Sequence, residues 1–357
     1  MRLNILPDTS TEKPIWGCFM KKFFFFVTFS AAMFFLSNPC SAEEKVYKIE
    51  VLQVAKIDAF QISYDAFIGV LKDNGFIQGK NLKVNHTIID YNVEGGGFLD
   101  KVGVLFKIKS EASRIASAKP DLAVTIGTPA TKYSRDKITA AGIPLVFLDV
   151  AIPQAAGCPS LTRGGPGVTG STLYFDMKSA MKIVKASFPN LKTIGMVSSD
   201  DDNGVAHVEE AKKNATAFGM NVISKQVSKK DSITSSLKAL RDQGAEAFAI
   251  PLDTYYGIKN YKNVNDLDEF SRLNKIPIIS FVFQHTKGAV LSVGSDFDTV
   301  GELGAQNAVK ILKDGMKPET LPILKQEDLK IMVDTERMQA LAIQIPMTIL
   351  QVAKPAK

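Results

Sequence analysis

Four times along this chain, apolar runs rich in β-branched residues end in a glycine or acidic turn and give way to a helical pattern. "DLAVTIG" (Asp121–Gly127) and "IPLVFLD" (Ile143–Asp149) do so in the first half, "KTIGMVSS" (Lys192–Ser199) and "AFAIPLD" (Ala247–Asp253) in the second. A strand that is apolar at nearly every position, rather than at every other one, is buried on both faces. Parallel strands covered by helices have that environment. This pattern restricts the fold more than any other feature of the sequence, because parallel strands need crossover helices and so a layered α/β architecture.

The remaining segments fit that alternation. "YKIEVLQV" and "NLKVNHTIID" read as strands, and helices are expected over Phe60–Asn74, Val102–Ala118 and Ser134–Ala141. A Gly/Pro/Ser-rich stretch, Gln154–Ser171, reads as a linker. The alternation then restarts, with helices expected over Met177–Phe188, Val205–Phe218, Ile233–Gln243 and Tyr261–Asn274 between the strands "NVISKQV" and "PIISFVF". "GAVLSVGSD", the helix Val300–Lys313 and "LKIMVD" come last, and their position suggests that the chain returns to the first half and crosses once more. The expected fold is therefore two doubly wound, Rossmann-like parallel-sheet lobes joined by a multi-strand hinge. Residues 43–160 with 293–322 are expected in lobe 1, and 165–290 with 325–350 in lobe 2. Two lobes on such a hinge form a cleft that closes.

Residues 1–42 are expected to lie outside this body. Lys21 and Lys22 precede an apolar run from Phe23 to Leu36, and Cys40-Ser41-Ala42 supplies small residues for cleavage, the layout of a secretory signal. The apolar run is shorter than the roughly 18–20 residues of a spanning helix. A periplasmic protein is expected, with residues 1–19 an upstream extension. Lipidation at Cys40 is disfavoured by the Asn38-Pro39 before it. Of three cysteines, only Cys158 follows the cleavage point, so no internal disulfide is expected.

The net charge of +6 comes from Lys and Arg scattered along the chain, which gives no nucleic-acid footprint. The three histidines, His86, His207 and His285, have no metal-ligand spacing, and neither G-x-S-x-G nor H-E-x-x-H occurs. No catalysis, metal or cofactor is expected. "GFIQGKN" follows a helix and has the wrong spacing for a phosphate loop, and the acidic run Ser199–Glu210 serves as a strand-to-helix turn rather than a calcium loop.

Candidate binding residues sit where strands end. In "VTIGTPATKY", Thr128 is placed to cap a helix with Pro129 at its first position, and the free N–H groups of that turn either start a helix cleanly or hold an anion. Asp253, Tyr255, Tyr256 and Gln284 lie at strand ends of the second half, as a small-molecule site would need, and Asp296 falls near the hinge.

The segments "GFIQGKNLKV", "DLAVTIGTPAT", "IPLVF", "GVTGSTLYFDMKSAMKIVKASFPNLKTIGMV", "IPIISF" and "GSDFDTVGELGAQNAVKILKDG" resemble, in order, the substrate-binding proteins of ABC transporters with the type I periplasmic fold. The closer resemblance is to the branch that includes aromatic amino-acid binders. It implies a monomeric extracytoplasmic receptor that closes on a solute and delivers it to a membrane permease. It places the family's hydroxyl-bearing turn on Thr128, Pro129 and Ala130, and its acidic residue on Asp296. An amino-acid-like solute would then set its carboxylate at Thr128 and its cationic end at Asp253 or Asp296, with Tyr255 or Phe283 on its side chain. A sensor that presents a bound solute to a signalling partner is the alternative function. A transcriptional regulator of this fold would need a helix-turn-helix where this chain has an export signal.

Overall fold

The computed structural model describes residues 45–90 and 98–356, with side chains omitted at 98–101. The expected export signal and its cleavage site lie outside the described residues, as does the glycine-rich stretch at 91–97.

The first sheet begins with β1 (Tyr47–Val54), which leads into α1 (Asp58–Asp73), β2 (Leu82–Ile89) and α2 (Phe98–Ala118). There follow β3 (Leu122–Ile126), α3 (Thr128–Ala140), β4 (Leu145–Val150) and β5 (Val168–Thr172). β3 and β4 are buried at every residue, as their continuous apolar character requires of central strands, while β2 at the sheet's edge is buried chiefly at its ends. The second sheet repeats the plan. α4 (Met177–Ser187), β6 (Thr193–Ser199), α5 (Asp202–Ala215), β7 (Asn221–Val227), α6 (Thr234–Asp242), β8 (Ala247–Ile250), α7 (Lys262–Asn274), β9 (Ile278–Ser280) and β10 (Ala289–Gly294) alternate along the chain. The chain then forms α8 (Phe297–Asp314), β11 (Leu324–Lys325), β12 (Lys330–Val333), α9 (Thr335–Ala340), α10 (Met347–Leu350) and β13 (Lys354–Pro355).

The strand orders are β11-β5-β4-β3-β1-β2 and β13-β12-β10-β9-β8-β6-β7. Each lobe thus carries a five-stranded parallel core in the doubly wound order 2-1-3-4-5, with one antiparallel pair, β10 with β12, at the border of the second. Two parallel-sheet α/β lobes are what the periodicity predicted. Both belong to one compact unit running from Val46.

Two assignments change. Val168–Thr172, expected in a linker and then in lobe 2, pairs in parallel with β4 of the first sheet. Gly170 is needed there, since a Cβ would stand 2.3 Å from the Phe147 carbonyl oxygen. "GAVLSVG", expected to return to lobe 1, is β10 of the second sheet, between β9 and β12. The return comes three residues later, with α8, which buries Phe297, Val300, Ala305, Ala308 and Ile311 in the first lobe's core.

The chain therefore passes between lobes three times, at 173–176, 295–296 and 326–329. Asp296 N–H donates to Gln326 Oε1 at 3.0 Å, tying the second crossing to the third.

Candidate functional site

In doubly wound sheets a ligand meets the carboxyl ends of the strands, where the strand order reverses. Here the carboxyl ends of the two sheets face each other across a partly open cavity of about 590 Å³. Lobe 1 contributes Ile57–Phe60 at the start of α1, Asp149 at the end of β4, and Phe297. Lobe 2 contributes Asn203, Leu252, Asp253, Tyr256, Tyr261, Val282 and Gln284. Most of these walls are apolar or aromatic, with polar groups at separate points.

The lobes are clasped shut around it. The Asn203 side-chain amide donates to Thr128 Oγ1 at 2.9 Å. Tyr261 O–H donates to Asp58 Oδ2 at 2.9 Å, and Lys132 pairs with Asp202. Tyr261 is held for this contact by a left-handed turn in which Lys259, Asn260 and Tyr261 all have positive φ (55°, 50° and 58°).

Three carboxylates border the space, and they differ. Asp58 is taken up by Tyr261. Asp253 accepts from Ser199 N–H at 2.6 Å, Ser199 Oγ at 2.9 Å and Tyr255 N–H at 2.9 Å. Gly204 makes room for it, because a Cβ there would stand 2.3 Å from Asp253 Oδ2. Burial, and then the charge of Asp201, push the Asp253 carboxyl above the usual carboxylate range. Asp201 caps α5 through Asn203 N–H and pairs with Lys229 at 2.8 Å; burial pushes its carboxyl up, but Lys229, the Asn203 N–H and Lys132 together hold it low. Asp149 is 2 % exposed and receives only the Ser63 hydroxyl, at 2.8 Å on Oδ1. Its Oδ2 is buried without a hydrogen-bond partner among the described residues, and burial pushes its pKa well up.

The expected site residues divide accordingly. Asp253 and Gln284 line the cavity. Thr128 does not cap α3; Gly127 does, at φ +90°, a conformation the smaller residue accepts more readily, which leaves the Thr128 hydroxyl free for Asn203. Pro129 becomes the second helical residue, and Ala130 is buried in the first lobe's core. Tyr255 is fully buried away from the cavity, its O–H donating to the Asp231 carbonyl, and its neighbour Tyr256 lines the space instead. Asp296 stands at the hinge, 4.0 Å from Lys354 Nζ, and Phe283 lies beneath the same lysine. Neither lines the cavity. Asp149, Phe60, Asn203 and Tyr261 were not picked from the sequence. The signal for Asp149 was present: one acid inside the apolar run "LVFLDV".

No three His, Cys, Asp or Glu side chains among the described residues are grouped to hold a metal, and no described helix is long and apolar enough to cross a membrane.

Two hinged α/β lobes that share a mostly apolar cavity define a solute-binding protein. Residues 48–357 match the family described as ABC transporter substrate binding protein, and the chain belongs to that family. Its members are non-catalytic, extracytoplasmic binding proteins that serve ABC transporters. A tyrosine-binding protein of Clostridioides difficile is 23 % identical over 312 residues, covering 86 % of this chain and 84 % of that protein. Among solved structures, the ABC domain from Streptococcus pneumoniae in complex with L-Trp is similar with a TM-score of 0.71, at 23 % identity over 86 % of this chain and 99 % of that one. A ligand-free, open substrate-binding protein with adhesive properties from Clostridium difficile gives 0.67, at 24 % identity over 87 % and 99 %.

Proposed function

We propose that this chain, exported to the periplasm by its N-terminal segment, binds a small amino-acid-like solute in the interlobe cavity and passes it to an ABC permease. The observation that carries this reading is the interlobe cavity of about 590 Å³ with walls from both lobes. Its size is within the range of small-ligand sites, and neither lobe alone completes it. The tyrosine-binding relative and the tryptophan-bound structure support an aromatic amino acid as the solute class. Phe60, Tyr256, Val282 and Phe297 supply surfaces for its side chain, and Asp253 and Gln284 line the second lobe's wall. The first-turn N–H groups of α1, at Asp58 and Ala59, supply donors suited to a carboxylate. The Thr128–Asn203 pair acts here as a clasp that forms on closure rather than as a direct contact.

Calorimetric titration with tyrosine, tryptophan, phenylalanine, leucine and a panel of sugars tests this. Saturable binding of at least one aromatic amino acid, with the sugars refused, is expected. A sugar bound in preference to every amino acid, or no amino acid bound, would overturn the reading.

A further inference from the structure

Among the described acids around the cavity, only Asp149 has a buried carboxylate oxygen left over; Asp58 is exposed, so water reaches its second oxygen. Asp58 accepts from Tyr261, and Asp253 accepts three hydrogen bonds from its own lobe. Asp149 has Ser63 on one oxygen and no partner among the described residues on the other, although its side chain is almost wholly buried. No lysine, arginine or histidine among the described residues forms an ion pair with it.

A buried carboxylate with an empty oxygen is unfavourable, and a chain tolerates one where something else completes it. The backbone adds a second cost at the same residue: Asp149 sits at φ +56°, a region that non-glycine residues adopt sparingly. Ser63 is in turn fixed by α8, with its hydroxyl 2.9 Å from the Phe297 carbonyl. The carboxylate is thus held rigidly at the cavity wall, with its open side unmatched by protein.

Resting on the proposed use of this cavity for a solute, we infer that Asp149 is the counter-ion for a cationic nitrogen of the solute, whose N–H groups fill the empty Oδ2. This assigns the charged end of the site to lobe 1, at the end of β4, rather than to Asp253 or Asp296. It also names the solute class by chemistry: a primary or secondary ammonium attached to an apolar or aromatic body. The Asp149 carboxyl, which burial alone favours as the neutral acid, ionises against that cation and gives up its proton on binding.

The test compares wild type with Asp149→Asn, using tyrosine, tryptophan, tyramine and 4-hydroxyphenyllactate as probes. Asparagine keeps an acceptor for Ser63 and is among the residues that best tolerate positive φ, so the variant should fold, which a melting curve checks. Wild type is expected to bind an ammonium-bearing probe about 10- to 150-fold more tightly than the variant does, the range for a hydrogen bond to a charged group. Wild type is also expected to refuse 4-hydroxyphenyllactate, which carries a hydroxyl in place of the amine. Equal affinity of the folded variant for the ammonium-bearing probe overturns the inference. So does tight binding of the lactate by wild type, or failure of wild type to bind any ammonium-bearing probe. If tyramine binds through Asp149 while both amino acids are refused, the amino-acid reading falls and the Asp149 inference stands.

Discussion

His207 lies inside the second lobe, its ring edge-on to Phe175 and Phe281 at 5.3 and 5.7 Å between centroids. Its Nδ1 accepts the N–H of Leu252, a residue of the cavity wall. Burial lowers its pKa from 6.5 to about 3. Between those values the unfolded chain takes up a proton that the folded chain refuses. Its contribution to stability is therefore intact above pH 6.5 and is lost as the pH falls toward 3, at about 1.4 kcal/mol per unit. Urea midpoints measured between about pH 7 and pH 5 should drop for wild type and drop less steeply for His207→Asn, which keeps an acceptor near Leu252 N–H. An identical slope in the variant would remove His207 as the source. At this scale the sequence was least legible. Tyr255 and Tyr256 are adjacent and chemically alike, and only the path of the turn after β8 sends one into the core and the other to the cavity. Asp149 ends an apolar run just as Asp253 does, yet one is left with an open oxygen and the other is enclosed by Ser199 and Tyr255.

At the scale of elements, the contact between α1 and α8 positions most of lobe 1's share of the site. Gly301 and Gly304 let the two helices and the sheet approach closely: a Cβ on Gly301 would stand 2.1 Å from the Ser63 carbonyl oxygen, and one on Gly304 would stand 2.1 Å from Leu148 Cδ2. Gly301→Ala should push α1 outward and displace Ser63, costing about 1–3 kcal/mol of stability as overpacking does. Solute binding should weaken with it, while Glu302→Ala on the exposed side of α8 leaves both unchanged. Urea unfolding and a solute titration on the two variants check this, and a Gly301→Ala protein as stable as wild type would show that the helices separate freely. The helix expected over Val300–Lys313, the boundaries of β1, and the central strands were readable because local pattern and burial agree there. The places of β5 and β10 were not. Which sheet a strand joins depends on its partner, and a partner such as the two-residue β11 leaves almost no pattern in sequence.

For the whole molecule, closure brings Ile57 of lobe 1 against Gly257 of lobe 2, where a Cβ would stand 3.1 Å from Ile57 Cγ2. Gly257 has an ordinary φ of −94°, so a larger residue does not strain its own lobe. Gly257→Leu should therefore act as a wedge between the lobes. Small-angle scattering is expected to give a larger radius of gyration than for wild type with solute present, with weaker binding and an unchanged urea midpoint. A variant that compacts and binds as wild type does would mean that the lobes close elsewhere.

The three crossings also set an order in time. A chain emerges from the ribosome amino end first, yet the first lobe lacks a core helix until residue 314 has been made, since α8 buries Phe297 to Ile311 against α1 and β4. The second lobe waits longer, because β12, α9, α10 and β13 complete its border and its core with Val333, Leu341, Ile345 and Ile349. Neither half can finish while the other is still being threaded, so the chain stays unfinished for nearly the whole of its synthesis. For a chain exported unfolded, as the proposed function would have it, that delay would serve transport: the last forty or so residues act as the release on folding, and they arrive last.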